Sequence, residues 1–444
     1  MMRGAVRLPI LVAAFVAPFV LVAPAFVTPA AAQATCPDSD PYCAEVAALS
    51  ARADVAAALE AAGTPGARER ARADLIELTE IPAPPFAEEV RARHYADMLR
   101  AAGADSVWID EEGNVLALRR GVAGGGLLGI GGHLDTVFPE GTDVTVRVSG
   151  DTLFAPGVGD DTRGLVVVLE VLRALEAAGV ETAADVLFIG TVGEEGLGDL
   201  RGMKHLFRRG GPAFDSFIAV DGGGTRSITA QALGSIRYRV TFRGEGGHSW
   251  GAFGTGNPAH ALGRAIRLFD EAADAFTADG PRTSYNVGRI GGGTSVNSIP
   301  FEAWMEVDMR SESQERLQEI NQIFRAAMQR AVAEQNPVAR RGDALTVELD
   351  PVGDRPSGET DPDAPLLRRA VAVTRHMGEE PSIGRSSTDS NIPISMGIPA
   401  VTIGRGGEGA NGHAPDEWWR DTPDSHVAVQ RALLLVVAEA GPAN

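Results

Sequence analysis

The chain has 444 residues and is 44% apolar, enough for two domains that each bury a core. Its formal net charge of −19 excludes a nucleic-acid surface as partner, because the phosphate backbone would be repelled. Lys204 is the only lysine, so arginine carries nearly all the positive charge and a single Arg is not by itself a chosen anion ligand.

Residues 1–34 read as a secretory signal peptide rather than as fold. Arg3 and Arg7 form a basic start, residues 8–27 are nearly all apolar, and AAAQA at 30–34 offers small residues for cleavage. An uncleaved anchor is the alternative, but Pro18, Pro24 and the Ala-rich end favour cleavage. The expected product is exported, periplasmic or secreted, with no membrane association after cleavage. Losing Arg3 and Arg7 takes its formal charge from −19 to −21. Cys36 and Cys43 follow directly, and two close cysteines in an exported chain predict a small disulfide loop. They are too few for a zinc-thiolate site, so any metal here must use imidazole and carboxylate.

Residues 68–102 read as two helices broken by IPAPP at 81–85, with Tyr95, Met98, Leu99 and Ala102 on one face. Residues 105–118 alternate as a strand pair around Gly113 and Asn114. An apolar run then ends in GIGGHLDT at 129–136, where His133 and Asp135 stand two apart at a strand end. Imidazole is the commonest protein metal ligand and a nearby carboxylate commonly orients it, although a plain hydrogen-bonded pair would look the same. The loop 153–164 places Asp160 and Asp161 among glycines at the start of a buried helix, where helix capping is the bland reading. A strand at 185–190 runs into Glu194 and Glu195, and another at 217–220 ends at Asp221. Adjacent buried acids are costly without partners, and the carboxyl ends of strands are where open α/β sheets build sites.

From about residue 226 the pattern changes. Strands near 235–243, 285–290, 303–310 and 344–349 alternate with helices carrying Leu262 to Phe276 and Leu317 to Ala327. The order βαββαβ is that of a ferredoxin-like unit, an α+β insertion spanning 226–356 between two parts of an α/β domain, 35–225 and 357–444. It carries His248, Asn297 and Arg310. A lone loop histidine is usually structural or solvated. After 356 come a helix at 365–377, a buried strand at 398–403 and a glycine-rich loop holding His413. Thr422 and Pro423 predict the start of the last helix.

Taken in order, HLD at 133–135, GDD at 159–161, EE at 194–195, Asp221, GHS at 247–249 and GH at 412–413 resemble the co-catalytic zinc hydrolases. These include glutamate carboxypeptidase, acetylornithine deacetylase, succinyl-diaminopimelate desuccinylase, aminoacylase and peptidase T. The resemblance runs from about residue 70 to the C-terminus. Two departures stand out: DDTRG at 160–164 where many relatives have DDKG, and Asp221 where carboxypeptidase-like relatives often carry Glu.

The resemblance implies a mixed-sheet α/β catalytic domain with an inserted lid and dimerisation domain. It implies two zinc ions, with cobalt or manganese as substitutes, bridged by Asp160. His133 and Asp221 would complete one ion, and Glu195 and His413 the other. Asp135 would orient His133, and Glu194 would be the general base. It also implies a cis peptide between Asp160 and Asp161. On the lid, His248 would stabilise the oxyanion, from the partner subunit of a homodimer, while Asn297 and Arg310 would bind a substrate carboxylate. The expected reaction is hydrolysis of an amide bond in short peptides or N-acyl amino acids by a metal-activated water. The rivals are a periplasmic solute-binding protein and a non-catalytic relative of the same fold. Adjacent acids at strand ends count against the former.

Overall fold

The computed structural model describes Cys36, Pro37 and residues 39–443. The segment expected to be a signal peptide lies outside the described residues. Among those described, no helix is long and apolar enough to cross a membrane.

The larger of the two main sheets has nine strands. At its centre Leu127–His133 lies parallel to both Asp185–Thr191 and Ser216–Val220, and Ala400–Ile403 extends the parallel set. These strands read as continuous apolar runs because helices cover both faces. The hairpin of Ser106–Ile109 and Val115–Arg119 pairs antiparallel onto one side, as the alternation around Gly113 predicts.

The helix Thr162–Ala178 follows the glycine loop and is buried along almost its whole length. Two glycines let it come that close. A Cβ on Gly164 would stand 2.2 Å from the Val220 carbonyl oxygen, and one on Gly132 would stand 2.7 Å from Asp161 Oδ2. The helix start is thereby pressed onto the strand ends, and its first residues enter the site rather than solvent.

Pairing changes sheet at Leu233. Ser227–Ala232 still pairs with Ala400–Ile403 in the large sheet, although its half-buried alternation resembles that of the inserted unit. The second sheet begins at Gly234 and ends at Arg355. Its order is Thr283–Gly292, Glu302–Ser311, Gly234–Arg243, Thr346–Arg355, antiparallel throughout, which is the ferredoxin-like arrangement. The helices Pro258–Thr277 and Gln314–Gln335 pack on one face, burying Val240, Phe242, Met305, Val307, Phe269 and Phe324. The other face carries charges.

Three elements differ from or extend the sequence reading. The last helix starts at Val427, with Thr422 to His426 forming a turn instead. The Thr422 hydroxyl is engaged by Asp424 and Ser425 side chains and caps no backbone N–H. Two alanine-rich helices near the start, Pro41–Ser50 and Ala53–Gly63, lack a polar face that would have marked them. Cys36 and Cys43 are disulfide-bonded, with Cα atoms 5.6 Å apart.

Candidate metal centre

The four parallel strands deliver their acids and histidines to one end of the large sheet. His133 is the last residue of its strand, Glu194 and Glu195 follow Thr191, Asp221 follows Val220, and Arg405 follows Ile403. A small four-stranded sheet holds the remaining two loops together. Its strands Thr152–Phe154 and Trp418–Arg420 pair antiparallel, bringing the Asp160 loop against the loop that carries His413.

Within this cluster the ligand atoms of His133, Asp160 and Asp221 lie within 4.8 Å of one another, as do those of Asp160, Glu195 and His413. The two groups share Asp160. His133 Nε2 is 3.3 Å from Asp160 Oδ1, and His413 Nε2 is 3.3 Å from Asp160 Oδ2 and 2.8 Å from Glu195 Oε1. The Asp160–Asp161 peptide is cis. Two imidazoles and three carboxylates within this radius suit a divalent ion with nitrogen and oxygen preference, zinc foremost. A third group, His133 with Glu194 and Glu195, meets the same 4.8 Å limit. Glu194 stands apart from the other acids because it belongs to neither group that shares Asp160, and its Oε1 accepts a hydrogen bond from Arg355 at 2.9 Å.

Backbone contacts fix the imidazole. His133 Nδ1 lies 2.9 Å from the Asp135 carbonyl oxygen, which can only accept, so Nδ1 carries a proton and Nε2 is the atom turned toward Asp160 and available to a metal. The Asp135 carboxylate does something else. Its two oxygens accept the Glu194 and Glu195 amides at 2.9 and 2.8 Å, so it orients the two glutamates, and it meets His133 Nδ1 only at 3.7 Å.

Electrostatics confirm how strained the charge balance is. Burial works against ionised Asp160, but Arg405 and the two histidines outweigh it and hold its pKa well below the carboxylate range. Burial opposes the charged form of His133 as well, yet the hydrogen bond to Asp160 and the surrounding acids push its pKa well up. His413 rises to about 10 through its hydrogen bonds to Asp160 and Glu195. Asp161 and Glu194 are pushed well up by burial, with Arg355 opposing for Glu194.

Four contributors escaped the sequence reading. Glu417 accepts the amides of Gly157, Gly159 and Asp160 at 2.7, 2.9 and 2.9 Å and so sets the conformation of the Asp160 loop. Each orphaned amide would cost about 1–3 kcal/mol. Arg355, 5% exposed in its side chain, ends the last lid strand and reaches down to Glu194 and Ser387. Arg405 stands among Asp160, Asp161 and Asp221. Asp389 is buried beside the cluster, accepting from Thr191 Oγ1 at 2.5 Å. Glu417 had a local cue, an acid three residues after Ala414 in a loop already singled out for His413.

The cluster opens into a cleft of about 690 Å³ that is also lined by Arg237, Arg310 and the loop at Ser386 to Thr388. Arg310 therefore lies where the sequence places it. His248 and Asn297 do not line this cleft. His248 belongs to a separate short ladder, in which Gly247–His248 pairs with Ser298–Ile299, and it is exposed; Asn297 lies just outside that ladder, its carbonyl accepting the Ser249 amide at 2.8 Å. His248 Nδ1 accepts from the Trp250 and Gly251 amides at 3.2 and 3.3 Å, which leaves Nε2–H as a free donor.

Residues 129–439 match the family described as peptidase family M20/M25/M40. The chain belongs to that family. It is a metal-dependent peptidase or amidohydrolase, which removes the solute-binding alternative. A putative LysW-lysine/LysW-ornithine hydrolase of Pyrococcus abyssi is 26% identical over 340 residues, covering 75% of this chain and 83% of the relative. A succinyl-diaminopimelate desuccinylase of Corynebacterium glutamicum is 30% identical over 239 residues, or 52% of this chain and 64% of the relative. Among solved structures, aminopeptidase PepT of Bacillus cereus superposes with a TM-score of 0.66 at 20% identity. That match covers 84% of this chain and 98% of PepT, and it shows the shared M20 fold.

Proposed function

We propose that this chain hydrolyses an amide bond in short peptides or N-acyl amino acids at a centre of two zinc ions, as an exported homodimer. The observation that carries the reading is the pair of ligand triads sharing Asp160, with Glu194 beside them and not needed by either. The names of the relatives, a desuccinylase and a LysW-lysine hydrolase, support an amide formed by an amino-acid-like amine.

Bound divalent ions would supply Lewis acidity to the scissile carbonyl and to an attacking water. The chain's own residues do the rest. Asp160 holds both halves in register through its two oxygens, and Glu417 holds the Asp160 loop. Glu194, placed by the Asp135 carboxylate and by Arg355, takes a proton at its carboxylate and returns it to the leaving amine. Arg310 and Arg237, which line the cleft, suit a substrate carboxylate, which a guanidinium can bind by two parallel hydrogen bonds. The cleft volume suits a ligand of two or three residues.

His248 enters this reading through the dimer. It lies outside its own chain's cleft with Nε2–H free, and Trp250, Phe253, Val296 and Phe301 expose apolar surface around it. A second copy covering this patch would bring the donor to the neighbouring cleft. Export rests on the layout of residues 1–34 and on the Cys36–Cys43 bond.

Metal analysis of the purified protein, followed by a panel of di-, tripeptides and N-acyl amino acids, tests the proposal. Near-saturating zinc should give about two ions per chain, with hydrolysis abolished by chelators and restored by zinc. A folded chain that takes up no ion, or that cleaves no amide in the panel when loaded, overturns it.

A further inference from the structure

The two halves of the metal centre differ by one guanidinium. Asp160 Oδ2 faces His413 and Glu195, and among the described residues no arginine pairs with the oxygens on that side. Asp160 Oδ1 faces His133, and there Arg405 intrudes. Its Nη1 lies 2.7 Å from Asp221 Oδ1, 3.3 Å from Asp160 Oδ1 and 3.4 Å from Asp161 Oδ1. Two of these three carboxylates are the acids available to an ion on the His133 side.

The intrusion is fixed by the backbone. Arg405 N–H donates to the Gly222 carbonyl at 3.1 Å. The preceding Gly404 is so tightly seated that a Cβ there would stand 2.4 Å from the Gly224 carbonyl oxygen. The arginine therefore leaves the strand end at a set point and, with its side chain 14% exposed, is directed into the acids.

We propose that Arg405 makes the His133–Asp160–Asp221 half the weak, exchangeable half of the centre, so that the Asp160–Glu195–His413 half fills first. This rests on the metal-centre reading above. A dication bound by Asp221 and Asp160 Oδ1 shares its oxygens with a fixed positive charge and must displace it or be repelled by it. The other half meets no such competitor. The guanidinium also serves the chain when that half is empty, since it offsets three acids that otherwise face one another in a buried place. Changes to groups that contact metal ligands typically move affinity about 10–100-fold, which sets the size of the expected asymmetry.

Chelator-stripped protein titrated with zinc, and separately with manganese, under buffered free-metal conditions reads the two steps directly by calorimetry and by bound-metal analysis. The wild type should bind one ion about 10–100-fold more tightly than the second. Arg405→Gln should tighten the second step by a similar factor and leave the first within a few-fold, whereas Arg405→Lys keeps the charge and should keep the weak step. His133→Ala should remove only the weak step, and His413→Ala should remove the strong one. Those two variants decide which half is weak even if Arg405→Gln fails to fold, and Arg405→Met, which keeps the side chain's length without its charge, then tests the cause. Two equal steps in the wild type, an unchanged second step in a folded Arg405→Gln, or loss of the strong step in His133→Ala overturns the inference while leaving the two-metal reading intact. A folded wild type that binds no ion overturns that reading itself.

Discussion

The catalytic end of the large sheet and the open face of the lid sheet are both rich in Arg, Asp and Glu, and they use them in opposite ways. On the lid, three acids have a base directly across the ladder: Arg237 opposite Asp308, Arg239 opposite Glu306, Arg243 opposite Glu302. Antiparallel register puts those side chains on one face in adjacent rows, so the field cancels locally and in partial contact with water. At the large sheet, parallel strands bring like ends together. Asp135, Asp161, Glu194 and Glu195 are all buried there and none has a cross-strand partner of opposite sign. The balance has to come from elsewhere, from Arg355, Arg405 and ions. Charge that the fold leaves uncancelled is where the chemistry is.

The largest expected effect tests that contrast with one kind of substitution in both regions. Glu194→Gln keeps an oxygen for Arg355 but cannot take up a proton, so kcat should fall roughly 10²–10⁴-fold while bound metal stays at the wild-type level. Glu306→Gln on the lid should leave turnover within about twofold, since its field is already cancelled by Arg239. If Glu194→Gln loses metal as readily as Glu195→Gln does, then Glu194 is a ligand in the third grouping and its role as base is wrong.

A smaller effect concerns Asp389. Burial pushes its pKa up to about 6 from 3.8, and Oδ1 has no hydrogen-bond partner among the described residues. A carboxyl whose folded pKa lies above its unfolded value favours folding when protonated. Its contribution is therefore fully present below about pH 3.8 and is lost as pH rises towards 6. The shift corresponds to about 3 kcal/mol across that window. In chelator-stripped protein, Asp389→Asn should flatten the pH dependence of the urea midpoint between pH 4 and 7 by an amount of that order. Its absolute stability is a poorer readout, because the amide would place an unpaired donor where Oδ1 now stands. A variant with the wild-type slope would show that Asp389 ionises normally.

How much of this was legible in the sequence follows from which interactions are local. Strand and helix periods, the sites where acids end apolar runs and the βαββαβ order all lie within short windows, and the ligand candidates His133, Asp160, Glu195, Asp221 and His413 do converge. Arg355 and Arg405 reach the same place from far along a chain with one lysine, where arginine carries no distinguishing signal. His248 and Asn297 are not among the residues that line the cleft; His248 is held instead in a short ladder between segments some fifty residues apart, a long-range fact. Ser227–Ala232 shows why the boundary near 226 comes early: a strand of the large sheet that is buried on one face alternates as a lid strand does.

The smallest effect belongs to the lid pair Arg239–Glu306, and its size is what makes the comparison quantitative. The two side chains are 36% and 29% exposed and meet at 2.8 Å, so solvent screens much of their attraction. Neither is left bare by loss of the other. Glu306 also pairs with Arg289 at 2.9 Å, and the Arg239 guanidinium lies 4.0 Å from the centre of the Trp304 ring. A double-mutant cycle of Arg239→Ala and Glu306→Ala, followed by urea unfolding, should therefore return a coupling of about 0.2–1 kcal/mol, reduced further in 1 M salt. The same cycle on Arg355 and Glu194, with side chains 5% and 7% exposed, should give a clearly larger and less salt-sensitive coupling. Equal couplings at the two places would mean that burial does not separate the two regions, and that the lid face is as constrained as the catalytic one.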